Sequence, residues 1–355
     1  MVSLQTVRAH NATLKELGPG LVGVFVGGTS GIGSSTAREF VRHTLAPRVY
    51  LVGRNETQAS RIISELRALN PEGQISFVKS DVSLLRNVDA VCDEIKAKEE
   101  KVNLLVLSQG VLTTKGRDET PEGLDKKLSL HYYSRMRFVH NLLPQLTAAA
   151  TATATAAGAS SSTGNGSRLS RVITVLSTGS EGRLKLDDLS LKTHYSLARA
   201  STHAITMSSL AISELAAAHP ETTFIHSFPG AVNTNLMRDF NPFARGLVSG
   251  LMFLLKPLTV PLAESGERHL YAATSGVYPP RAQQQQGAGA GKDTAVATGA
   301  DGLPGSGAYL LHWDGSTPNK KAKLLREYQS SGVGKQVWAH TLEVFEKICS
   351  RGRYD

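Results

Sequence analysis

Eight residues, Val26-Gly27-Gly28-Thr29-Ser30-Gly31-Ile32-Gly33, follow a β-branched run and open a segment of helical period. Glycines at 27, 31 and 33 permit positive φ and close backbone approach, so amides at the start of the next helix can receive a pyrophosphate. Thr29, Ser30 and Ile32 complete the set of turn residues that would meet a dinucleotide. Glycine runs also serve as plain turns; the strand before this one and the helix and strand after it are what carry the reading. The second strand ends Leu51-Val52-Gly53-Arg54-Asn55. A carboxylate here would bind both ribose hydroxyls, whereas Gly53 leaves room and Arg54 offers a guanidinium fork suited to a 2′-phosphate. The expected cofactor is therefore NADP(H), although an arginine here also suits a solvent-exposed helix start. Asp81-Val82, after the third strand, can hold the adenine amino group, and Asp81 can equally cap the helix beginning near Ser83.

The elements that must position these residues follow from hydrophobic period. Short apolar runs at Leu21–Val26, Arg48–Val52, Gln74–Lys79 and Val102–Leu107 alternate with helical segments, the pattern of a parallel sheet with crossover helices. Thr120-Pro121-Glu122 predicts a helix start, Thr120 capping and Pro121 in the first turn, with the helix running to about Leu146. Further strands are expected at Arg171–Ser177, Thr222–Phe228 and Ala308–Trp313, and a long helix over Tyr195–Ala218. Residues 147–167 and 279–307 are rich in small and polar residues and predict low-complexity surface insertions with little order. The fold class expected is α/β, a single doubly wound parallel sheet of Rossmann type over residues 20–355, with a lid at about 235–265. The apolar stretch Gly246–Leu255 falls well short of the roughly 20 residues of a membrane span.

These residues resemble the short-chain dehydrogenase/reductase family over roughly residues 20–275. Its T-G-x-x-x-G-I-G turn is matched from Gly27 to Gly33, with Val26 in place of the threonine. The resemblance implies that Ser177, at the end of strand five, polarises a substrate carbonyl. It implies that Tyr195 donates the proton, and it places Arg199 where the family has a lysine four residues on. Phe228-Pro229-Gly230-Ala231-Val232-Asn233-Thr234 is similar to the P-G-x-V-x-T segment, so Val232 and Thr234 would meet the nicotinamide. Ser108-Gln109-Gly110 stands where an N-A-G-like triplet lines the cofactor, which assigns Ser108 and Gly110 to that wall. His131 occupies the position of a water-anchoring asparagine and is either a proton relay or a structural residue.

Carbonyl reduction needs a hydride from the nicotinamide and a proton for the oxygen. A tyrosine, with an ordinary pKa of about 10, needs a neighbouring cation to favour its phenolate. Spacing i to i+4 puts Tyr195 and Arg199 on one helix face. Guanidinium supplies that charge but, unlike an ammonium, does not pass its proton on. The sequence therefore leaves three readings: an NADP-dependent reductase, a cofactor-binding sensor or scaffold without turnover, and a non-redox enzyme using the same pocket.

Composition bounds the partners. The 355-residue chain is 41% hydrophobic, with 39 Lys plus Arg against 30 Asp plus Glu. The +9 excess is dispersed, its densest patch being Lys320, Lys321, Lys323 and Arg326, which reads as a solvated face and not as a nucleic-acid site. Cys92 and Cys349 are the only cysteines and have neither a disulfide framework nor zinc-ligand partners, so no metal is expected. The expectation is a soluble cytoplasmic protein. Apolar Leu247, Leu251, Phe253 and Leu254 in the lid suggest a hydrophobic, polyketide-like substrate. Fungal secondary-metabolite reductases of the family carry similar lysine-poor sites, and homo-oligomers built on the two long helices after strands four and five are common in it.

Overall fold

The computed structural model describes residues 1–151, 168–232, 234, 259–285 and 295–354. Seven parallel strands form one sheet in the order β3-β2-β1-β4-β5-β6-β7. They are β1 (Val22–Val26), β2 (Arg48–Gly53), β3 (Gln74–Lys79), β4 (Leu104–Leu107), β5 (Arg171–Val175), β6 (Thr223–Ser227) and β7 (Ala308–Leu311). The order reverses between β1 and β4, which opens a crevice at the carboxyl ends of those strands, where such sheets bind ligands.

Strand alternation sends each face to a different core. Val22, Val24 and Val26 join Tyr50 and Val52 beneath α4 (Leu85–Lys96), α6 (Ser134–Thr151) and α7 (Leu197–Ala218). Phe25, Val49 and Leu51 pack under α2 (Gly31–His43) and α3 (Glu56–Leu69), together with Leu270 of α8 (Leu262–Thr274). In α2, Ala37, Phe40 and Val41 are the buried stripe, at i, i+3 and i+4.

Several boundaries differ from expectation. The helix predicted from Thr120 begins instead at α5 (Lys126–Leu128), because Asp125 accepts from the Lys127 and Leu128 amides while Thr120 is held in a turn with Leu124. Ser129–Tyr133 is π-helical before α6 continues to Thr151, with Pro144 inside it. The expected insertion at 147–167 is therefore helical at its start, where Thr147 Oγ1 donates to Glu221 and Ala149 is buried; residues 152–167 lie outside the described residues. The second insertion is also partly structured: α9 (Arg281–Gln285) opens it, and Ala297 donates to Val277 while Thr298 bridges Pro304. Residues 286–294 lie outside the description, as does lid segment 235–258 with Leu247, Leu251, Phe253 and Leu254; the lid's expected end is already α8.

Three helices outside the expected pattern complete the fold. At the amino end, α1 (Leu4–Ala12) packs on α8, burying Val7 and bonding Asn11 Nδ2 to the Glu267 carbonyl. Near the carboxyl end, α10 (Ala322–Ser330) precedes α11 (Val333–Arg351), which lies across α4 and α7. Val337, Val344 and Ile348 of α11 belong to the core beneath the sheet's α4–α7 face. The Thr341 and Tyr132 hydroxyls are 2.6 Å apart, and the Arg137 guanidinium of α6 sits 5.1 Å from the Phe345 ring centre. Of the two long helices assigned to self-association, α7 is thus covered in part by a segment of the same chain.

Candidate active site

A cavity of about 600 Å³ runs along the carboxyl ends of the strands. Gly27, Thr29, Ser30, Gly31 and Ile32 line one end and Ser177 the other, with Arg54, Asp81, Val82, Ser108, Gly110, His131, Val232 and Thr234 between or beside them. Gly33 lies under this wall. A Cβ on Gly33 would lie 2.7 Å from the Gly27 carbonyl oxygen and also strike Ser108 Oγ, so only glycine lets the turn close against β4. Ser30 caps α2 in extended conformation and makes no side-chain cap bond, leaving the helix's amino end for a ligand.

In the same cavity, the Arg54 guanidinium lies 3.8 Å from the Asp81 carboxylate, both side chains being well exposed. No acidic residue closes β2, and a side chain at Gly53 would run into Thr29 Oγ1 at 2.7 Å. Asp81 does not cap α4. Its carboxylate accepts from the Ser83 amide, and the Leu85 and Arg86 amides instead bond the fully buried Glu122 carboxylate. The glycine cradle and the uncapped helix end fit a dinucleotide. The buried Gln109 Oε1 in the cavity wall has no partner among the described residues, a further acceptor at the same site.

The substrate end is built from scattered elements. Ser177 follows β5 and is half-buried. His131 is set on the π-helical turn, and its Nε2 accepts from the Val111 amide at 3.1 Å. Burial, aided by the Arg135 and Lys127 charges, lowers its pKa to about 3, so its ring is neutral at physiological pH. Arg135 itself is 1% exposed. Its guanidinium donates to the carbonyls of Gln109, Val175 and Leu130 and to the Thr174 hydroxyl, tying the ends of β4 and β5 to the π-helical turn. No carboxylate among the described residues is bonded to it, and burial lowers its pKa to about 9, which still leaves it charged.

Tyr195 and Arg199 are placed otherwise than i, i+4 spacing suggested. Because Ser196 caps α7, the helix begins at Leu197, and Leu197, Ala200, Ser201 and Ala204 turn toward the cavity. Neither Tyr195 nor Arg199 lines it. Arg199 is exposed and donates from Nη1 to the His194 carbonyl at 3.0 Å. The Tyr195 hydroxyl is buried without a hydrogen-bond partner among the described residues, and Lys127, which does line the cavity, holds its ammonium 5.3 Å from the Tyr195 ring centre. Lys127 and Arg135 were not singled out from sequence. Arg135 shares a helical stripe with Phe138, Val139 and Leu142, which was its one signal of burial.

A dinucleotide cradle at the switch point of a parallel sheet, with a serine at the end of the fifth strand, defines a Rossmann-type nucleotide-binding protein. The family model for short chain dehydrogenases matches residues 22–243, and the chain belongs to this short-chain dehydrogenase/reductase family. It is 42% identical over 359 aligned residues to the oxidoreductase AN1596 of Emericella nidulans, covering 99% of this chain and 100% of that protein. It is 36% identical to the oxidoreductase andH of Emericella variicolor, covering 98% of each. Among solved structures, the NADPH-bound carbonyl reductase from chicken fatty liver has the same fold, with a TM-score of 0.53 at 17% identity, over 84% of this chain and 98% of that one. The chain is thus an oxidoreductase of this family, and among its described residues no helix is long and apolar enough to cross a membrane.

Proposed function

We propose that this oxidoreductase uses NADP(H) to reduce a ketone or aldehyde of a hydrophobic small molecule, or to oxidise the corresponding alcohol, in cytoplasmic secondary-metabolite biosynthesis. The observation that carries the reading is one continuous cavity joining the glycine turn and Arg54 to Ser177. Gly27, Thr29, Ser30, Gly31 and Ile32, with Gly33 beneath them, would hold the pyrophosphate and Arg54 the 2′-phosphate. Asp81 and Val82 would hold the adenine, and Ser108, Gly110, Val232 and Thr234 the nicotinamide riboside. The bound nicotinamide supplies or accepts a hydride. Ser177 Oγ would donate a hydrogen bond to the substrate oxygen and Tyr195 would give it the proton, which requires the Tyr195 hydroxyl, buried off the cavity lining here, to turn toward the substrate. His131 is neutral, with Nε2 engaged by Val111, and so steadies the wall of this end. Arg199 holds the chain's entry into α7.

The test is NADPH oxidation against a panel of hydrophobic ketones, with Tyr195→Phe as control. Turnover should fall by about a hundredfold in the variant while NADPH affinity is retained. A variant that turns over at the parental rate would remove Tyr195 as donor. The placement of Tyr195 and Arg199 off the cavity lining favours a second reading, a cofactor-binding protein without redox turnover. It predicts tight NADPH binding with no oxidation across the panel, whereas product formed without NADPH consumption would indicate non-redox chemistry.

A further inference from the structure

Ser177 stands on a turn that leaves β5, and the groups that fix this turn do not line the cavity. The Ser180 amide closes the turn on the Ser177 carbonyl at 3.2 Å, and Gly179 takes a φ of 92°, which favours glycine. Behind the turn lies the Glu181 side chain, the residue being 2% exposed. Its Oε2 accepts from the Gly179 amide at 2.8 Å, and its Oε1 accepts from the Thr178 hydroxyl at 3.0 Å and from the Ser209 hydroxyl of α7 at 2.8 Å. Thr206, one helical step before Ser209, takes both backbone groups of Gly182: its Oγ1 accepts from the amide at 2.9 Å and donates to the carbonyl at 3.0 Å. The turn that carries Ser177 is therefore pinned to one face of α7.

The proton directions in this cluster follow from what each group can do. Ser209 has a single O–H, which goes to Glu181, so its Oγ receives from His226 Nδ1 at 2.9 Å and the ring holds its proton there. His226 Nε2 is then a bare nitrogen, buried with no partner among the described residues. Burial, aided by the Arg135 charge, lowers the pKa of this ring to about 3 and keeps it neutral.

We propose that Glu181 is a positioning residue for Ser177, fastening the Ser177–Gly179 turn to α7 so that the Ser177 hydroxyl is held at the cavity while Glu181 itself touches neither substrate nor cofactor. The inference rests on the reading of Ser177 as the group that meets the substrate oxygen. Glu181 acts by its place and not by its charge. A glutamine there can serve with the polarity reversed: its oxygen accepts from Gly179, its NH2 donates to the Thr178 and Ser209 hydroxyls, Ser209 donates to His226 Nδ1, and the ring proton moves to Nε2. A methionine fills the same space but leaves three donors without an acceptor.

The experiment joins turnover to two measurements that need none. Glu181→Met should lower kcat by at least about tenfold, with KM and NADPH affinity within about twofold of the parent, and should cause no further loss in a Ser177→Ala background. Glu181→Gln should recover kcat to within about threefold of the parent. Nitrogen NMR of histidine-labelled protein should find the His226 proton on Nδ1 in the parent and on Nε2 in Glu181→Gln. Hydrogen exchange over residues 176–182 should quicken by at least about tenfold in Glu181→Met and stay parental in Glu181→Gln. Equal losses from Glu181→Met with and without Ser177, equal losses in the Gln and Met variants, or unmoved exchange in Glu181→Met overturns the proposal. Ser177→Ala turning over at the parental rate would fail the reading of Ser177 and the proposal with it, whereas failure of the proposal alone shows as parental exchange in Glu181→Met beside a slow Ser177→Ala. Should Glu181→Met fail to fold, Ser209→Ala cuts the tie to α7 and should lower kcat by at least about threefold only when Ser177 is present. Unmoved kcat and exchange in Ser209→Ala would overturn the proposal equally.

Discussion

The two ends of the cavity are built on opposite principles. At the cofactor end, β1, the glycine turn and α2 are consecutive in the chain, and the site is mostly backbone: amides at a helix end and glycines that keep Cβ atoms out. At the substrate end, Ser177 comes from β5, His131 from a π-helical turn and Lys127 from α5, with Tyr195 ahead of α7 off the lining, and the site is made of side chains held largely by backbone groups of other elements. A backbone site tolerates change around it and fails at single glycines. A side-chain site fails when its scaffold of buried polar groups is disturbed.

Acid should expose that scaffold most. Burial lowers the pKa of His131 and His226 to about 3 and of His269 to about 4. Because the folded pKa values lie below the unfolded value near 6.5, the unfolded chain takes up these protons first, and the stability held above about pH 6.5 is lost as pH falls. Each histidine should cost about 1.4 kcal/mol between about pH 7.5 and 5.5, so the three together cost about 4 kcal/mol. Urea unfolding at the two pH values measures this, and equal stabilities would show that these rings protonate in place.

Arg135→Met should come next, at about 3 kcal/mol, since three carbonyls lose their donor while the relief of burying a charge returns part of the loss. The effect should include a fall in turnover larger than the fall in NADPH affinity, because the ends of β4 and β5 are released at the substrate end. At the cofactor end, Gly33→Ala should cost about 2 kcal/mol by overpacking against the Gly27 carbonyl, and here NADPH affinity should fall first. Calorimetric unfolding together with cofactor titration distinguishes the two patterns. If both variants lost binding and turnover in the same proportion, the contrast between the ends would be empty. The smallest effect is expected of Arg54→Asp, which should reverse a preference for NADPH over NADH of at least about tenfold, about 1.4 kcal/mol, without altering stability. Equal affinities for the two cofactors in the unmodified protein would remove Arg54 from the 2′-phosphate.

This division also governs what could be read from the residues in order. The strand sequence was legible because it depends on neighbours in the chain, and the parallel sheet followed from hydrophobic period alone; the glycine turn and Arg54, read from the same local context, line the cavity. The start of α5 was misplaced because Thr120-Pro121 carries a good helix-start signature, while the side chain that caps the helix, Asp125, is five residues on. The rotation of α7 that turns Leu197, Ala200, Ser201 and Ala204 inward depends on where Ser196 caps it, a matter of one or two residues that spacing does not resolve. Lys127 and Arg135 were invisible for a plainer reason: a charged side chain reads as solvated until its partners, here backbone carbonyls from other elements, are known.

The placement of α11 sets an order on the making of the protein. Its Val337, Val344 and Ile348 complete a core whose other members were synthesised long before, so a growing chain carries the apolar outer surfaces of α4 and α7 uncovered until α11 has left the ribosome. Chaperone demand should therefore peak late in translation, and slowing synthesis just before residue 333 should lengthen the period in which nascent chains aggregate.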